Sequence, residues 1–279
     1  MEPEPEEVDA LRALLRAGPA LIVTGAGVST DSGIPDYRGP ETRRRARNPV
    51  QHREFVRSAA ARKRYWARSM LGWPRFSCAR PNAGHVVLAE LQRRGLALGP
   101  VTQNVDGLHQ AAGSRDVVEL HGALRSARCL ECGGEIERGQ LQQLLRARNP
   151  EFERHAAELA PDGDADLSDA LVERFCVVDC ERCGGPLRPD VVFFGENVPR
   201  ERVERAFALL DSAASLWVIG SSLAVYSGLR FVHGAQKRGV PIAILTLGPT
   251  RGDSCAHLRL DRDASATLLA LARLLDVPP

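Results

Sequence analysis

The chain has 279 residues, 44% hydrophobic and 26% charged, which is ordinary for a globular protein and enough to bury a substantial core. Its 37 basic and 35 acidic residues leave a net charge of +2, which excludes binding to nucleic acid through bulk charge. Seven unevenly spaced cysteines argue against a disulfide framework and suit a reducing compartment, so a cytoplasmic protein is expected.

The first ten residues, MEPEPEEVDA, are acidic where a secretory or mitochondrial leader is basic. Residues 7–17 place Val8, Leu11, Leu14 and Leu15 on one helical face. Residues 20–24, ALIVT, form a continuous apolar run, as a strand covered on both faces does. Thr24-Gly25-Ala26-Gly27-Val28-Ser29 follows at once. Glycines there let backbone approach a phosphate, and a helix N-terminus behind them offers N–H groups. A simple tight turn is the alternative reading. The dehydrogenase fingerprint fails, because Thr30 holds the third glycine position. The cluster Arg43, Arg44, Arg45 and Arg47 also lies near the place where a ribose-binding acid is expected. The pocket therefore suggests a dinucleotide without the usual hydride-transfer arrangement.

Residues 41–75 carry no strand signal and continue as a helix-like run through Phe55, Tyr65 and Trp66. A helix is predicted over 82–94 and a strand over 100–103, ending in Gln103-Asn104-Val105-Asp106. Asn104 and Asp106 either point into one cleft or cap a helix. A strand over 117–120 ends at His121-Gly122. His121 is a candidate general base, with a structural histidine as the alternative; His85 and His109 show no comparable placement. Residues 125–189 are polar, with a Pro-Asp-Gly-Asp turn at 161–164. Within them stand CLECGG and CERCGG, giving Cys129, Cys132, Cys180 and Cys183. Two such knuckles satisfy tetrahedral zinc and leave no open position, so one structural Zn²⁺ per chain is expected. Cys78, Cys176 and Cys255 read as small buried packing residues, with Cys176 a rival ligand.

Further strands are predicted over 191–194, 216–219 and 242–247, and helices over 202–210 and 264–275. The apolar stretch 209–226 is broken by Asp211 and several serines, so no membrane span is expected. Strand and helix alternate, which predicts an α/β fold with a doubly wound parallel sheet. The expected larger domain comprises 1–40, 76–124 and 190–279. The insertions 41–75 (helical, with a cofactor loop) and 125–189 (zinc-binding, with an extended insertion) form a smaller one.

Taken together, GAGVSTDSGIPDYRG (25–39), TQNVDGLH (102–109), LHG (120–122), the two knuckles, PDVVFFGE (189–196), GSSL (220–223) and Thr246-Leu247-Gly248 resemble the sirtuins. The 47 residues between the knuckles, RYWAR (64–68) and ILTLGPTR (244–251) resemble the class II branch that includes the mitochondrial sirtuin-four type; a bacterial member is expected. The resemblance implies a Rossmann-like NAD-binding domain and an NAD-dependent protein-lysine deacylase. NAD would be consumed, with acyl transfer from lysine to ADP-ribose and release of nicotinamide. It implies His121 as the base, with Asn104 and Asp106 orienting water, ribose and the nicotinamide carboxamide. Gly25, Ala26, Gly27 and Thr30 would border the pyrophosphate, beside Gln103, and Asp36, Tyr37 and Arg38 would cover the cofactor. Gly220, Ser221, Ser222, Thr246, Leu247, Gly248 and Ala264 would line the adenosine half. An acyl-lysine protein segment would lie along Phe194, Gly195, Glu196, Val225 and Tyr226, adding a strand between the domains. Tyr65 and Arg68 resemble a pair that favours acidic acyl groups. The expected partners are acylated proteins, with neither nucleic acid nor membrane, and a monomer is compatible with the sequence. A mono-ADP-ribosyltransferase using the same NAD site is the alternative function.

Overall fold

The computed structural model describes residues 2–36, 49–150, 152, 167 and 169–276. The elements in chain order are α1 (Pro5–Arg16), β1 (Ala20–Thr24), α2 (His52–Arg57), α3 (Ala59–Cys78), α4 (Ala83–Arg93), β2 (Ala97–Thr102), α5 (Leu108–Ala111) and β3 (Val118–Glu119). Then come β4 (Gly122–Cys129), β5 (Glu135–Glu137), α6 (Arg138–Arg148), α7 (Asp169–Arg174), β6 (Leu187–Val191), α8 (Arg200–Asp211) and β7 (Ser215–Ile219). The last are α9 (Tyr226–Lys237), β8 (Ile242–Leu245), β9 (Leu258–Leu260) and α10 (Ala264–Leu274).

The chain divides into two compact units. The first holds residues 1–36, 80–120 and 198–279. Its sheet has the order β3-β2-β1-β7-β8-β9, and every neighbouring pair is parallel. This is the doubly wound order, with the reversal between β1 and β7. Strand alternation explains why both faces are covered. Ala20 and Ile22 of β1 belong to one apolar cluster with α1, α4 and α10, whereas Leu21 and Val23 belong to another with α8 and α9. Asn82 caps α4 through His85 N, and Asp263 caps α10 through Ala266 N.

The second unit holds residues 37–79 and 121–197. Its sheet is β5-β4-β6, antiparallel throughout. Its core gathers Phe55, Tyr65, Trp66 and Met70 from α2 and α3 with Leu141 and Leu145 from α6.

Two sequence expectations change here. Residues 76–79, 121–124 and 190–197, expected in the larger domain, group with the smaller one, because α3 runs on to Cys78 and β4 starts at Gly122, where it pairs with Val191 of β6. The run 191–194 adds no strand to the parallel sheet: β6 ends at Val191. The physical reason is Arg188, which donates to Val191 O at 2.8 Å and clamps Glu196 at 2.8 and 3.0 Å, turning the chain back. Tyr37, Arg38, the basic cluster of residues 43–47 and the 161–164 turn lie outside the described residues.

Candidate functional site

In the first unit, the loops that leave β1 and β7 meet at the reversal of strand order. Gly25 N donates to Ile219 O at 3.1 Å and Gly27 N to Gly220 O at 2.8 Å. A Cβ on Gly25 would lie 2.7 Å from the Ser221 Cβ, and one on Gly27 would lie 2.9 Å from Gly220 Cα. Gly220 has φ +63°, and a side chain there would strike Val28 N. The glycines therefore permit a main-chain contact between two strand ends. This corrects the expectation of open N–H groups behind the turn. The segment that follows is a 3-10 turn, Ala26–Ser32, and the Gly27 and Val28 N–H groups are already bonded. Thr30 closes it, its hydroxyl donating to Gly27 O at 3.0 Å.

Behind this turn lies a polar network. The Asn104 Nδ2 donates both hydrogens, to Gly25 O at 3.1 Å and to Ser29 Oγ at 3.0 Å, so its Oδ1 is presented as an acceptor. Ser29 Oγ donates to Asp106 Oδ2 at 2.8 Å. Asp106 Oδ1 accepts from Leu108 N at 3.0 Å, and Asp106 itself stands one residue before Gly107, which is the N-cap of α5 and has no side-chain cap. The reading of Asn104 or Asp106 as the helix cap is thereby corrected: the cap position is Gly107, in the left-handed conformation. Burial pushes the Asp106 carboxyl above the usual carboxylate range, against the lowering effect of the Leu108 and Ser29 hydrogen bonds. Gln103 donates to Ser221 Oγ at 2.8 Å, tying the end of β2 to the loop after β7.

Three residues of this network escaped the sequence reading. Ser29 was visible in its motif but had no assigned task. His85 and His109 are both fully buried, with ring centroids 5.0 Å apart. His85 bonds Asn82 Oδ1 at 3.0 Å and stands 3.5 Å from Ser29 Oγ, and His109 bonds Thr24 Oγ1 at 2.9 Å. Burial lowers His85 to about 4, and burial with the neighbouring His85 lowers His109 to about 3. Both remain neutral in the native state at pH 5, where an unfolded chain would protonate them. Stability is therefore complete above about pH 6.5 and is lost as pH falls toward the folded values. Burial of His85 alone makes this on the order of 3 kcal/mol between pH 6.5 and 4. Chemical denaturation of wild type and His85→Gln across that range checks it. The variant is expected to show a flatter pH profile, and parallel profiles would contradict the assignment.

Ser221 is buried, and Ser222 O accepts from Arg251 N at 3.2 Å. Thr246 is buried, Gly248 N donates to Asp261 Oδ1 at 2.8 Å, and Leu247 projects with 59% exposure. Ala264 opens α10. Val225 precedes α9, and Tyr226 begins it.

In the second unit, His121 directly precedes β4, and its carbonyl accepts from Val192 N at 2.8 Å. A Cβ on the adjacent Gly122 would overlap Asp190 O, so only glycine lets β4 pass this close to β6. Tyr65 packs edge-on against Phe55 and Phe193, with centroids 5.3 and 5.6 Å away. The α3 pair Tyr65 and Arg68 is thereby joined to the segment carrying Phe194, Gly195 and Glu196. Phe194 is 40% exposed. The Glu196 carboxylate is committed: burial would raise its pKa, but Arg188, Phe193 N and His52 outweigh this and hold it below the usual range.

The sulfurs of Cys129, Cys132, Cys180 and Cys183 all lie within 4.8 Å of one another. Cys129 and Cys183 are 3.5 Å apart, and Cys132 and Cys180 are 3.7 Å apart. A tetrahedron with zinc–sulfur bonds of 2.3 Å has edges of roughly 3.8 Å, so the donor set fits Zn²⁺. The knuckles repeat one geometry: Cys129 N bonds Gly134 O and Cys180 N bonds Gly185 O, each at 2.8 Å. Cys176 is outside the cluster. It is exposed, as is Cys78, and Cys255 is half-exposed, so the expectation of buried packing residues is corrected. The reason is local for Cys176, whose backbone bonds the Asn149 side chain at 2.7 and 2.8 Å on the rim of the core. Among the described residues no helix is long and apolar enough to cross a membrane.

Residues 25–227 match the Sir2 family model. An NAD-dependent protein deacetylase of Xanthomonas campestris pv. campestris (strain 8004) is 49% identical over 270 residues, 93% of this chain and 92% of that one. The NAD-dependent protein lipoamidase sirtuin-4, mitochondrial, of Bos taurus is 48% identical over 262 residues, 92% of this chain and 83% of that one. A solved Sir2–p53 peptide–NAD⁺ structure superposes with a TM-score of 0.75 at 30% identity, covering 96% of this chain and 98% of that one. With the doubly wound sheet, the four-cysteine cluster and these matches in hand, the chain belongs to the Sir2 family.

Proposed function

We propose that this protein is an NAD-dependent protein-lysine deacylase. The observation that carries the reading is the Ser29–Asn104–Asp106 network at the strand-order reversal, in a chain 49% identical to an NAD-dependent protein deacetylase. NAD, when bound, supplies the ADP-ribose that accepts the acyl group and the nicotinamide that leaves. The loop of residues 25–27 and Gly220 gives the pyrophosphate a close backbone surface. Asn104 Oδ1 and the half-buried Asp106 carboxyl orient the nicotinamide and its ribose. Ser221, Ser222 and Thr246, Leu247 and Gly248 take the adenosine half. His121 removes a proton from a ribose hydroxyl through its imidazole. The four cysteines hold a structural zinc, which takes no part in the chemistry because no coordination position stays open. The names of these relatives support deacylation and lend nothing to the mono-ADP-ribosyltransferase alternative.

The reading is tested by mass spectrometry of the products from mixed acyl-lysine peptides incubated with NAD. Free lysine, nicotinamide and O-acyl-ADP-ribose in equal amounts support it, and ADP-ribose retained on protein opposes it. The same panel addresses the acyl group. Arg68 is half-buried, and its Nε has no acceptor among the described residues, which suits a carboxylate-bearing acyl chain. Acidic acyl chains are expected to be turned over faster than acetyl, and Arg68→Ala is expected to cost their kcat/KM roughly 10-fold to 100-fold. Fastest turnover of acetyl-lysine, unaffected by Arg68→Ala, would refute the preference.

A further inference from the structure

We propose that one face of α9 is a docking surface for acidic residues flanking the acylated lysine of a substrate protein. The inference rests on the deacylase reading and on the placement of the substrate beside Val225 and Tyr226. It names a substrate class for that site: acyl-lysine segments with Asp or Glu on one side of the lysine.

Tyr226, Arg230, His233 and Lys237 are spaced four, three and four residues apart, so they form one stripe along the helix. Tyr226 is 59% exposed, the same value as Leu247 among the large hydrophobic residues of the described chain. It is held in place rather than free. The Arg230 guanidinium lies over its ring at 5.1 Å, and the His233 ring is 6.3 Å away. The stripe borders a shallow depression of about 390 Å³, with Phe207 and Gly234 contributing to its lining. Its far edge is Arg238, which already has a partner, Asp211, at 2.7 Å. Arg230, His233 and Lys237 have no carboxylate within ion-pair distance among the described residues, and the buried Arg230 Nε lacks an acceptor.

A solvated cationic face is common, and charge alone selects nothing. Two further features give this one a direction. First, it begins at Tyr226, so it is continuous with the proposed substrate edge. Second, an ordered aromatic ring with a guanidinium on its face offers a wall for the peptide backbone beside a fork for a carboxylate. The eleven helical steps from Tyr226 to Lys237 span about 16 Å, the length of roughly five residues of extended peptide. The occupant is therefore the substrate's own flanking segment, with acidic side chains within about five residues of the lysine on one side only.

The test uses full-length protein with saturating NAD and a series of peptides sharing one acyl-lysine core. Three Glu, three Ala or three Lys residues are placed on either side of that core. Glu on one side is expected to raise kcat/KM about fivefold over Ala, mainly through KM, as expected for two exposed ion pairs. The ratio should approach one at about 0.5 M salt. In the double variant Arg230→Glu with Lys237→Glu the preference should invert, so that Lys-flanked peptides gain relative to wild type, a gain that misfolding cannot produce. Equal kcat/KM for the Glu, Ala and Lys peptides, or an unchanged preference in the double variant, would overturn the surface. Fluorescence anisotropy of a labelled Glu-flanked peptide separates the two readings. Selective binding of that peptide, abolished by the double variant but with no deacylation of any peptide, upholds the surface and removes the deacylase reading.

Discussion

His121→Tyr is expected to reduce NAD-dependent deacylation by roughly 10²-fold to 10⁴-fold, the usual range for removing a general base. The backbone should survive the change. His121 contributes its carbonyl to the bond from Val192, and that bond needs no imidazole. The side chain is half-exposed rather than part of the core, so a larger ring has room to turn outward. The bonds joining Ser29, Asn104 and Asp106 run among those residues, Gly25 and Leu108, all within the first unit. Binding of NAD, followed by calorimetry, should therefore weaken far less than turnover. The discriminating result is kcat falling by orders of magnitude while the NAD dissociation constant changes less than about tenfold. Retained kcat would remove His121 from the base role, and loss of NAD binding together with activity would make it a binding residue instead.

The second large effect concerns the metal. Cys180→Ser, or prolonged chelation, is expected to unfold the second unit rather than inactivate an intact protein. The argument starts from the sulfurs. Two are buried, and all four lie within 4.8 Å, a separation that four thiolates do not tolerate without a cation among them. Cys129 also ends β4, and Cys129 pairs with Leu187 at the start of β6. Leu187 O accepts the Trp66 indole N–H at 3.0 Å, so the strand beside the knuckles is bonded into the core of α3. Zinc binding of this kind is worth on the order of 10 kcal/mol, comparable with the whole stability of an ordinary domain. Near-stoichiometric zinc in the purified protein, and loss of a cooperative thermal transition in Cys180→Ser, are the expected measurements. A native protein that binds no zinc would end the proposal.

What the sequence revealed followed from the range of the forces involved. The parallel sheet was legible because β1 and β7 are buried on both faces and carry unbroken apolar runs. The zinc cluster was legible because each knuckle is local and repeats the same glycines. β4 was not legible, because half of Gly122–Cys129 faces water and its Arg, Ser and Ala mixture lacks a clear period. β9 is three residues long, too short for any periodic signal. The burial of His85 and His109 was invisible for another reason. Each histidine is enclosed by residues far along the chain, Thr24 lying 85 positions from His109 and Ser29 lying 56 from His85, although His85 also bonds the nearby Asn82. Similarly, nothing in the run 191–194 shows that Arg188 and Glu196 will close on each other and end the strand.

The contact between the loops leaving β1 and β7 has a consequence for recognition. It is made by main-chain atoms of Gly25, Gly27 and Gly220, which carry no rotamers to freeze. The pyrophosphate proposed to rest there would meet a surface whose ordering entropy was already spent when the chain folded. In the proposed reading, selectivity then rests on side chains that still have freedom to lose, at the adenosine half, around the acyl group and along the peptide, so a mutation there can change the choice of ligand without disturbing the strand-end contact.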